Sequence, residues 1–436
     1  MKKILACLSI AMVAACLPAA AGSLDSAAPE DLGFSPQRLQ RLSAALEHYV
    51  DSGQIAGSVT IVARHGKVAY LKAFGDRDRA SHSPMQTDTI FRIASQTKAI
   101  VTTAAMILQE QGKLLIQDPV GKYIPEFAHT TVAVPKDGGG YDVVPAKRPI
   151  TIRDLMTHTS GYDYGDGIAA DRWKAAGIEG YYLSNRDETI GELAAKMASL
   201  PASAQPGEKW IYGYSIDILG AVVEKAAGMP LDEFLEQRIF QPLDMKDTYF
   251  FLPPAKRDRL ATVYANVDGK LELAPEDGWN GQGKFVDGPR KCFSGGAGLV
   301  STAMDYARFL QMILNDGGLR HLEVPGLREA RQAATNAEHQ GDEREQPIPA
   351  HRCQSAMAWY TSARTFAWSS TSPAGMSCVR CTTTMSSTGS IQYSLWYAPP
   401  QPSSPTEPGI PRAPRSFSTS NPSPKPSPGL NGMPCS

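Results

Sequence analysis

The chain has 436 residues, with 43 Lys plus Arg against 44 Asp plus Glu, a formal net charge of −1 at pH 7. That balance leaves no basic stripe to follow a phosphate backbone, which argues against nucleic acid as a partner. Its seven cysteines suggest no disulfide framework: Cys292 alone lies in the well-patterned region, where a free buried thiol is expected, and Cys378-Val379-Arg380-Cys381 lacks the second pair that a zinc site needs.

The chain opens on a targeting pattern. Lys2 and Lys3 precede an apolar stretch at 4–13, and Ala19-Ala20-Ala21 before Gly22 forms a small-residue cleavage site, so residues 1–21 read as a signal peptide. Val13-Ala14-Ala15-Cys16 also fits a bacterial lipoprotein box, with Cys16 as the lipidated residue. Either route exports the product, as a periplasmic or secreted protein or as a lipoprotein anchored at Cys16. The apolar stretch is too short to cross a bilayer, and no other segment reads as a membrane span.

Ser35-Pro36 opens an amphipathic helix, a cap followed by proline at the first helical position, with Leu39, Leu42 and Leu46 on one face. Residues 57–63 and 67–73 read as two strands of a hairpin turning at His65-Gly66. An extended approach at 88–94 then leads into a helix with few charges that stops near Gly112. Ser95-Gln96-Thr97-Lys98 lies in its first turn. Positions i and i+3 share a helix face, so hydroxyl and amine are expected side by side. Serine is a weak nucleophile until a base stands next to it, and a lysine kept neutral by burial can be that base. Peptide N–H groups at the helix start are placed to receive a developing oxyanion. Taken alone, the motif fits a capping serine and a solvent-facing lysine equally well.

Residues 136–146 are polar and Gly-rich and read as a loop. Thr151-Ile152-Arg153-Asp154 carries a capping-box pattern, with His158 beyond it read as structural. Further helices are expected at 189–200 and 216–227. Before the second, Gln205-Pro206-Gly207 marks a turn, and Tyr212 and Tyr214 follow it. On residue type alone both tyrosines are packing aromatics; one projecting into a cleft could relay protons. Residues 294–302 form a Gly-rich turn, and Thr302 with Asp305 caps a helix through Leu314.

In this order, Thr89-Ile90-Phe91-Arg92-Ile93-Ala94-Ser95-Gln96-Thr97-Lys98, Ile152-Arg153-Asp154-Leu155-Met156-Thr157-His158-Thr159-Ser160-Gly161, Tyr212 with Asp217-Ile218-Leu219-Gly220, and Gly298-Leu299-Val300-Ser301-Thr302 resemble the serine β-lactamase and penicillin-binding-protein-like hydrolases, above all family VIII carboxylesterases and class C β-lactamases. The resemblance runs from about Pro29 to about Leu319. It implies an α+β fold, an antiparallel sheet flanked by helices with a mostly helical subdomain. It implies Ser95 as the acylated nucleophile, Lys98 as its activating amine and Tyr212 as the catalytic tyrosine. The substrate class is a small-molecule ester or amide, and no metal or cofactor is called for.

Two departures shape the reading. Relatives that cleave β-lactams or peptides carry Asn two residues after the tyrosine; here that residue is Tyr214, which favours an ester substrate. After about His321 the composition changes: Glu407 is the only acidic residue beyond Glu345, and residues 399–434 are dense in proline. Proline cannot donate to a sheet ladder, so the family's C-terminal strands are expected to be missing or degraded. Ser387-Thr388-Gly389 with Ile391, Tyr393, Leu395 and Tyr397 alternating beyond it is the one segment that could stand in for the family's third motif. The expected division is 1–21 signal, 24–320 hydrolase domain, 321–398 atypical segment and 399–436 Pro/Ser-rich disordered tail. The atypical part reads as out of frame relative to relatives, or as a Pro/Ser linker. A carboxylesterase is expected, with a β-lactamase or D-amino-acid peptidase as alternatives, and a non-catalytic penicillin-binding-like module or inactive product as the alternative of another class.

Overall fold

The computed structural model describes residues 24–267, 270–277, 281–315, 318–319, 322–323, 380–382 and 394–396, the last four stretches as strands only. All belong to a compact unit bounded by Met1–Pro400; residues 401–436 lie outside the described residues.

β1 (Asp25–Ser26) leads to α1 (Pro36–Asp51), whose N-cap Ser35 accepts from the Arg38 N–H. The hairpin follows as β2 (Gly57–Arg64) and β3 (Lys67–Asp78), longer than the expected 57–63 and 67–73. All but the first residue of β2 are buried. A strand covered on both faces sits at the centre of a sheet. β3 pairs antiparallel with it, β1 joins the far edge of β3 in parallel, and β4 (Ser83–Pro84) folds back onto the end of β3. α1 lies against β3, where Ser43 Oγ and Tyr70 Oη are 3.0 Å apart.

β5 (Phe91–Arg92) precedes α2 (Thr97–Glu110), in which every residue from Thr97 to Leu108 is buried. A helix without a solvent face belongs in the interior, and α2 is the central helix of the fold. The segment 136–146, expected as a loop, is instead half of a hairpin: β6 (Thr131–Pro135) pairs with β7 (Tyr141–Pro145). Val132, Val134, Val143 and Val144 supply β-branched strand residues, and Gly138, Gly139 and Gly140 take positive φ in the turn.

α3 (Ile152–Met156) begins at the expected capping box of Thr151 and Asp154. α4 (Ala170–Ala175), α5 (Ile190–Ala198) and α6 (Ser215–Ala227) follow, then α7 (Leu231–Leu235). α6 packs on α2, α3 and α5, which makes the helical layer continuous with the core under the sheet. β8 (Tyr264–Val267) and β9 (Lys270–Leu273) form an outlying hairpin, and β10 (Val300–Ser301) pairs with β5. α8 (Ala303–Leu314) starts where expected, with Thr302 Oγ1 accepting from the Asp305 N–H.

Beyond α8, β11 (Gly318–Leu319) pairs with β12 (Leu322–Glu323). β13 (Arg380–Thr382) and β14 (Ser394–Trp396) extend the main sheet, with β14 parallel to β2 in the register Leu395↔Ile61. The alternating segment at 391–397 thus contributes a strand at 394–396; Ser387-Thr388-Gly389, like the signal segment at 1–21, falls outside the described residues. Among the described residues no helix is long and apolar enough to cross a membrane.

Candidate active site

The serine sits at a pinned backbone corner. β5 pairs with β10, and the Ile93 N–H donates to the Leu299 carbonyl at 3.0 Å. Ala94 then takes φ of 44°, a left-handed conformation that strains any residue with a side chain. Residues Ala94–Gln96 make one turn of 3-10 helix before α2 proper, so Ser95 lies half-buried just ahead of the α-helix rather than inside it. The Thr97 hydroxyl accepts from the Leu299 N–H at 3.1 Å and ties the start of α2 to the residue that leads into β10.

Lys98 is fully buried. Its ammonium donates to Ser95 Oγ at 3.1 Å, to Tyr164 Oη at 3.1 Å and to the Gly296 carbonyl at 2.8 Å. An ammonium has three donors, and here each has an acceptor. Burial pulls the amine down, but the neighbouring Tyr164, Tyr212 and Asp217 outweigh it, and Lys98 ends above the ordinary lysine value. The expected lysine, kept neutral by burial, is therefore replaced by a buried cation.

Tyr212 reaches the same oxygen from 117 residues away, its hydroxyl donating to Ser95 Oγ at 2.7 Å. Its position follows from its neighbours. The Ile211 N–H donates to the His158 carbonyl at 2.8 Å. Gly213 passes so close to the backbone of Tyr162 and Asp163 that a Cβ there would collide with both. The Tyr212 ring lies 4.7 Å from Lys98 Nζ and 4.8 Å from the His158 ring. A cation near an aromatic ring at that range is attracted to it.

His158, read as structural, is buried with φ of 54° and neither ring nitrogen has a hydrogen-bond partner. Burial, and then the charge of Lys98, hold its pKa at about 3, so it packs on Tyr212 as a neutral ring. Tyr214 turns away from Ser95. Its hydroxyl donates to the Gly180 carbonyl at 2.6 Å and its ring stacks on Trp173 at 5.6 Å.

The structure thus brings Ser95, Lys98 and Tyr212 together and adds groups the motifs did not single out. Tyr164 is one; its only local cue is its place just after the Thr157-His158-Thr159-Ser160-Gly161 turn. The Gly296 carbonyl is another, a backbone acceptor that no residue type announces. Cys292 is a free buried thiol, as read from its surroundings. Among the described residues no group of His, Cys, Asp and Glu could hold a metal ion.

A serine oxygen shared by a buried ammonium and a phenol, at the start of a buried helix beside a sheet, describes a class of serine hydrolase. The family profile described as Beta-lactamase matches residues 42–401, and the chain belongs to that family. It is 34% identical over 347 residues to Esterase EstB of Burkholderia gladioli, spanning 76% of this chain and 81% of that one. It is 34% identical over 286 residues to a lovastatin esterase of Penicillium rubens, spanning 62% of this chain and 67% of that one. Among solved structures it resembles EstCE1, described as a hydrolase with promiscuous acyltransferase activity, with a TM-score of 0.56 and 32% identity over 66% of this chain and 75% of that one. The protein is a β-lactamase-fold serine hydrolase with esterase relatives.

Proposed function

We propose that this hydrolase is a carboxylesterase acting on small acyl esters through an acyl-serine at Ser95. The observation that carries the proposal is the convergence of Tyr212 and Lys98 on one oxygen, at 2.7 and 3.1 Å. With Lys98 a buried cation, the group that takes the Ser95 proton is the Tyr212 oxygen, which must first have given up its own, and the Lys98 ammonium 4.7 Å from the Tyr212 ring offsets the charge. Ser95 Oγ attacks the ester carbonyl carbon while its proton passes to that oxygen. The carbonyl electrons move onto oxygen, and the Ser95 N–H, at the start of the 3-10 turn, is one donor to the resulting oxyanion. Collapse breaks the bond to the alkoxy oxygen, which leaves as an alcohol with the proton from Tyr212. Water then repeats the sequence on the acyl-serine and releases the acid.

An ester is favoured over a β-lactam or peptide by Tyr214. It stands where amide-cleaving relatives place Asn, and its hydroxyl is committed to the Gly180 carbonyl rather than facing Ser95. The esterase relatives support the same choice. Residues 1–21, with their basic start and apolar core, support export of the enzyme.

The test is direct. The purified protein should hydrolyse a short-chain nitrophenyl ester at least about 100-fold faster than a chromogenic cephalosporin, a discrimination typical of a site shaped for one substrate class. Ser95→Ala should abolish the ester reaction and the acyl adduct seen by intact-mass spectrometry. Ester turnover that survives Ser95→Ala would overturn the assignment.

A further inference from the structure

The chemistry above leaves a buried carboxyl unused. Asp217 lies in the first turn of α6, five residues beyond Tyr212, and is 1% exposed. Its Oδ1 accepts from the Ser294 hydroxyl at 2.6 Å and from the Gly296 N–H at 3.0 Å. Gly296 is the residue whose carbonyl receives the Lys98 ammonium at 2.8 Å. One peptide unit away from that carbonyl, Asp217 therefore fixes the same turn from the other side. Gly296 lies so flat on the carboxylate that a Cβ would collide with Asp217 Oδ2. The Ser294 hydroxyl is itself oriented, accepting from the Ala297 N–H at 3.2 Å. Both contacts to Oδ1 are donated, as suits an ionised acceptor.

The direct partners of Lys98 are a serine hydroxyl, a phenol and a peptide carbonyl. None is a fixed anion, yet a buried ammonium needs an opposite charge nearby. We propose that Asp217 is a positioning residue for the Ser95 site, supplying across the Gly296 peptide the negative charge that keeps Lys98 an ammonium and holding the carbonyl that orients it.

The groups facing this pair can be named. Tyr164 and His158 come from the segment after α3, Tyr212 and Tyr214 from the segment before α6, and Cys292 from the stretch before the glycine turn. His158 is neutral, and burial together with Asp217 pushes the Tyr214 and Cys292 hydrogens on more firmly. Burial holds the Asp217 carboxyl above its ordinary range, and the Lys98 charge and the Ser294 and Gly296 donors offset only part of that rise. Asp217 is the carboxyl whose charge, after burial and the phenols Tyr164 and Tyr212, weighs most on Lys98.

The inference rests on the reading of Ser95, Lys98 and Tyr212 as the reacting site, and the experiment separates the two. The pH dependence of kcat/KM for the nitrophenyl ester is measured for the wild type, Ser95→Ala, Asp217→Asn and Ser294→Ala. Asp217→Asn keeps an oxygen for Ser294 and Gly296 but removes the charge. Loss of a nearby negative charge lowers the pKa of every neighbouring group, so both limbs of the profile should move to lower pH by about one unit. Ser294→Ala keeps the charge and loosens the turn, so it should lower the amplitude by about tenfold while the limbs stay in place. Thermal melting checks the fold, and Asp217→Ser, also neutral and still an acceptor, replaces Asp217→Asn if that variant does not fold. An Asp217→Asn profile with wild-type limbs, in an enzyme that Ser95→Ala silences, overturns the role of Asp217 alone. Activity that survives Ser95→Ala overturns the site and this inference together.

Discussion

Two lysines in this protein have nearly the same surroundings and opposite consequences. Lys98 donates to a peptide carbonyl, a phenol and the Ser95 hydroxyl, and lies 4.7 Å from an aromatic ring. Lys256 donates to the Lys246 carbonyl, the Tyr249 phenol and the Asp247 carboxylate, and lies 4.9 Å from an aromatic ring. The difference is the third acceptor. At Lys256 a carboxylate, also gripped by Arg259 at 2.8 Å, closes the charge on the spot, and the cluster staples the 246–259 segment near the surface. At Lys98 the carboxylate is set back behind Gly296, and its place among the three acceptors is taken by a hydroxyl that can react. Lys256 keeps 29% of its side chain exposed, whereas Lys98 has none. The lesson is that reactivity depends less on which residues gather than on how far the neutralising anion is held from the cation and how dry the cation is.

The sharpest way to test this contrast is to remove each cation. Lys98→Met should reduce ester hydrolysis by about a thousandfold or more, as loss of a member of a reacting unit does. Lys256→Met should leave the rate unchanged and cost about 1 kcal/mol or less in denaturant unfolding, the range for a partly exposed ion pair.

The phenols grade the effect next. Tyr212→Phe removes the hydroxyl that touches Ser95 Oγ and should lower kcat about 100-fold or more, the range for a positioned acid–base group. Tyr164→Phe leaves one Lys98 N–H without its acceptor and should cost about tenfold. Tyr214→Phe should change the rate less than about twofold while lowering stability by about 1–2 kcal/mol, since its buried bond to the Gly180 carbonyl is lost. Steady-state kinetics and chemical melts on the same preparations would rank the three. A Tyr214 variant as impaired as the Tyr212 variant would reverse their assignment.

The smallest effect reaches the site through its neighbours. His158 is held neutral when folded, with a pKa of about 3 against an ordinary 6.5. Between those values the unfolded chain binds a proton that the folded chain refuses. The stability this residue confers is therefore fully present above pH 6.5 and falls as the pH drops from 6.5 towards 3, by at most about 1.4 kcal/mol per pH unit. His158→Asn, which tolerates the positive φ, should flatten the stability–pH curve over that window. An unchanged slope would mean that the ring titrates normally.

Much of this architecture was legible in local patterns. The Ser35 cap, the Thr151 and Asp154 box, the hairpin at His65-Gly66 and the cap of α8 all depend on residues within a few positions of one another, and they formed as read. Ser95 and Lys98 were visible for the same reason. The hairpin at 131–145 was missed because its glycine-rich turn dominated the composition of a window that also held its second strand. The rest of the site was hidden by distance in sequence. Nothing in the spacing places Tyr212 on Ser95; the family resemblance did that. Tyr164, Asp217 and the Gly296 carbonyl act through contacts spanning 66, 79 and 198 residues, and one of them is backbone. The sign of the Lys98 shift was equally out of reach, because it depends on which charges a folded interior sets around the amine.

The left-handed residue ahead of the nucleophile gives the site an uneven tolerance to change. At Ala94 the cost of a side chain falls on the backbone, about 1–2 kcal/mol for an L-residue at such a φ. Swapping alanine for glycine removes that cost, whereas a β-branched residue adds to it. The serine is thus carried on a spring compressed by its neighbour and latched by the Ile93–Leu299 bond. Drift at position 94 towards valine or isoleucine would dislodge Ser95 without altering any residue of the reacting set.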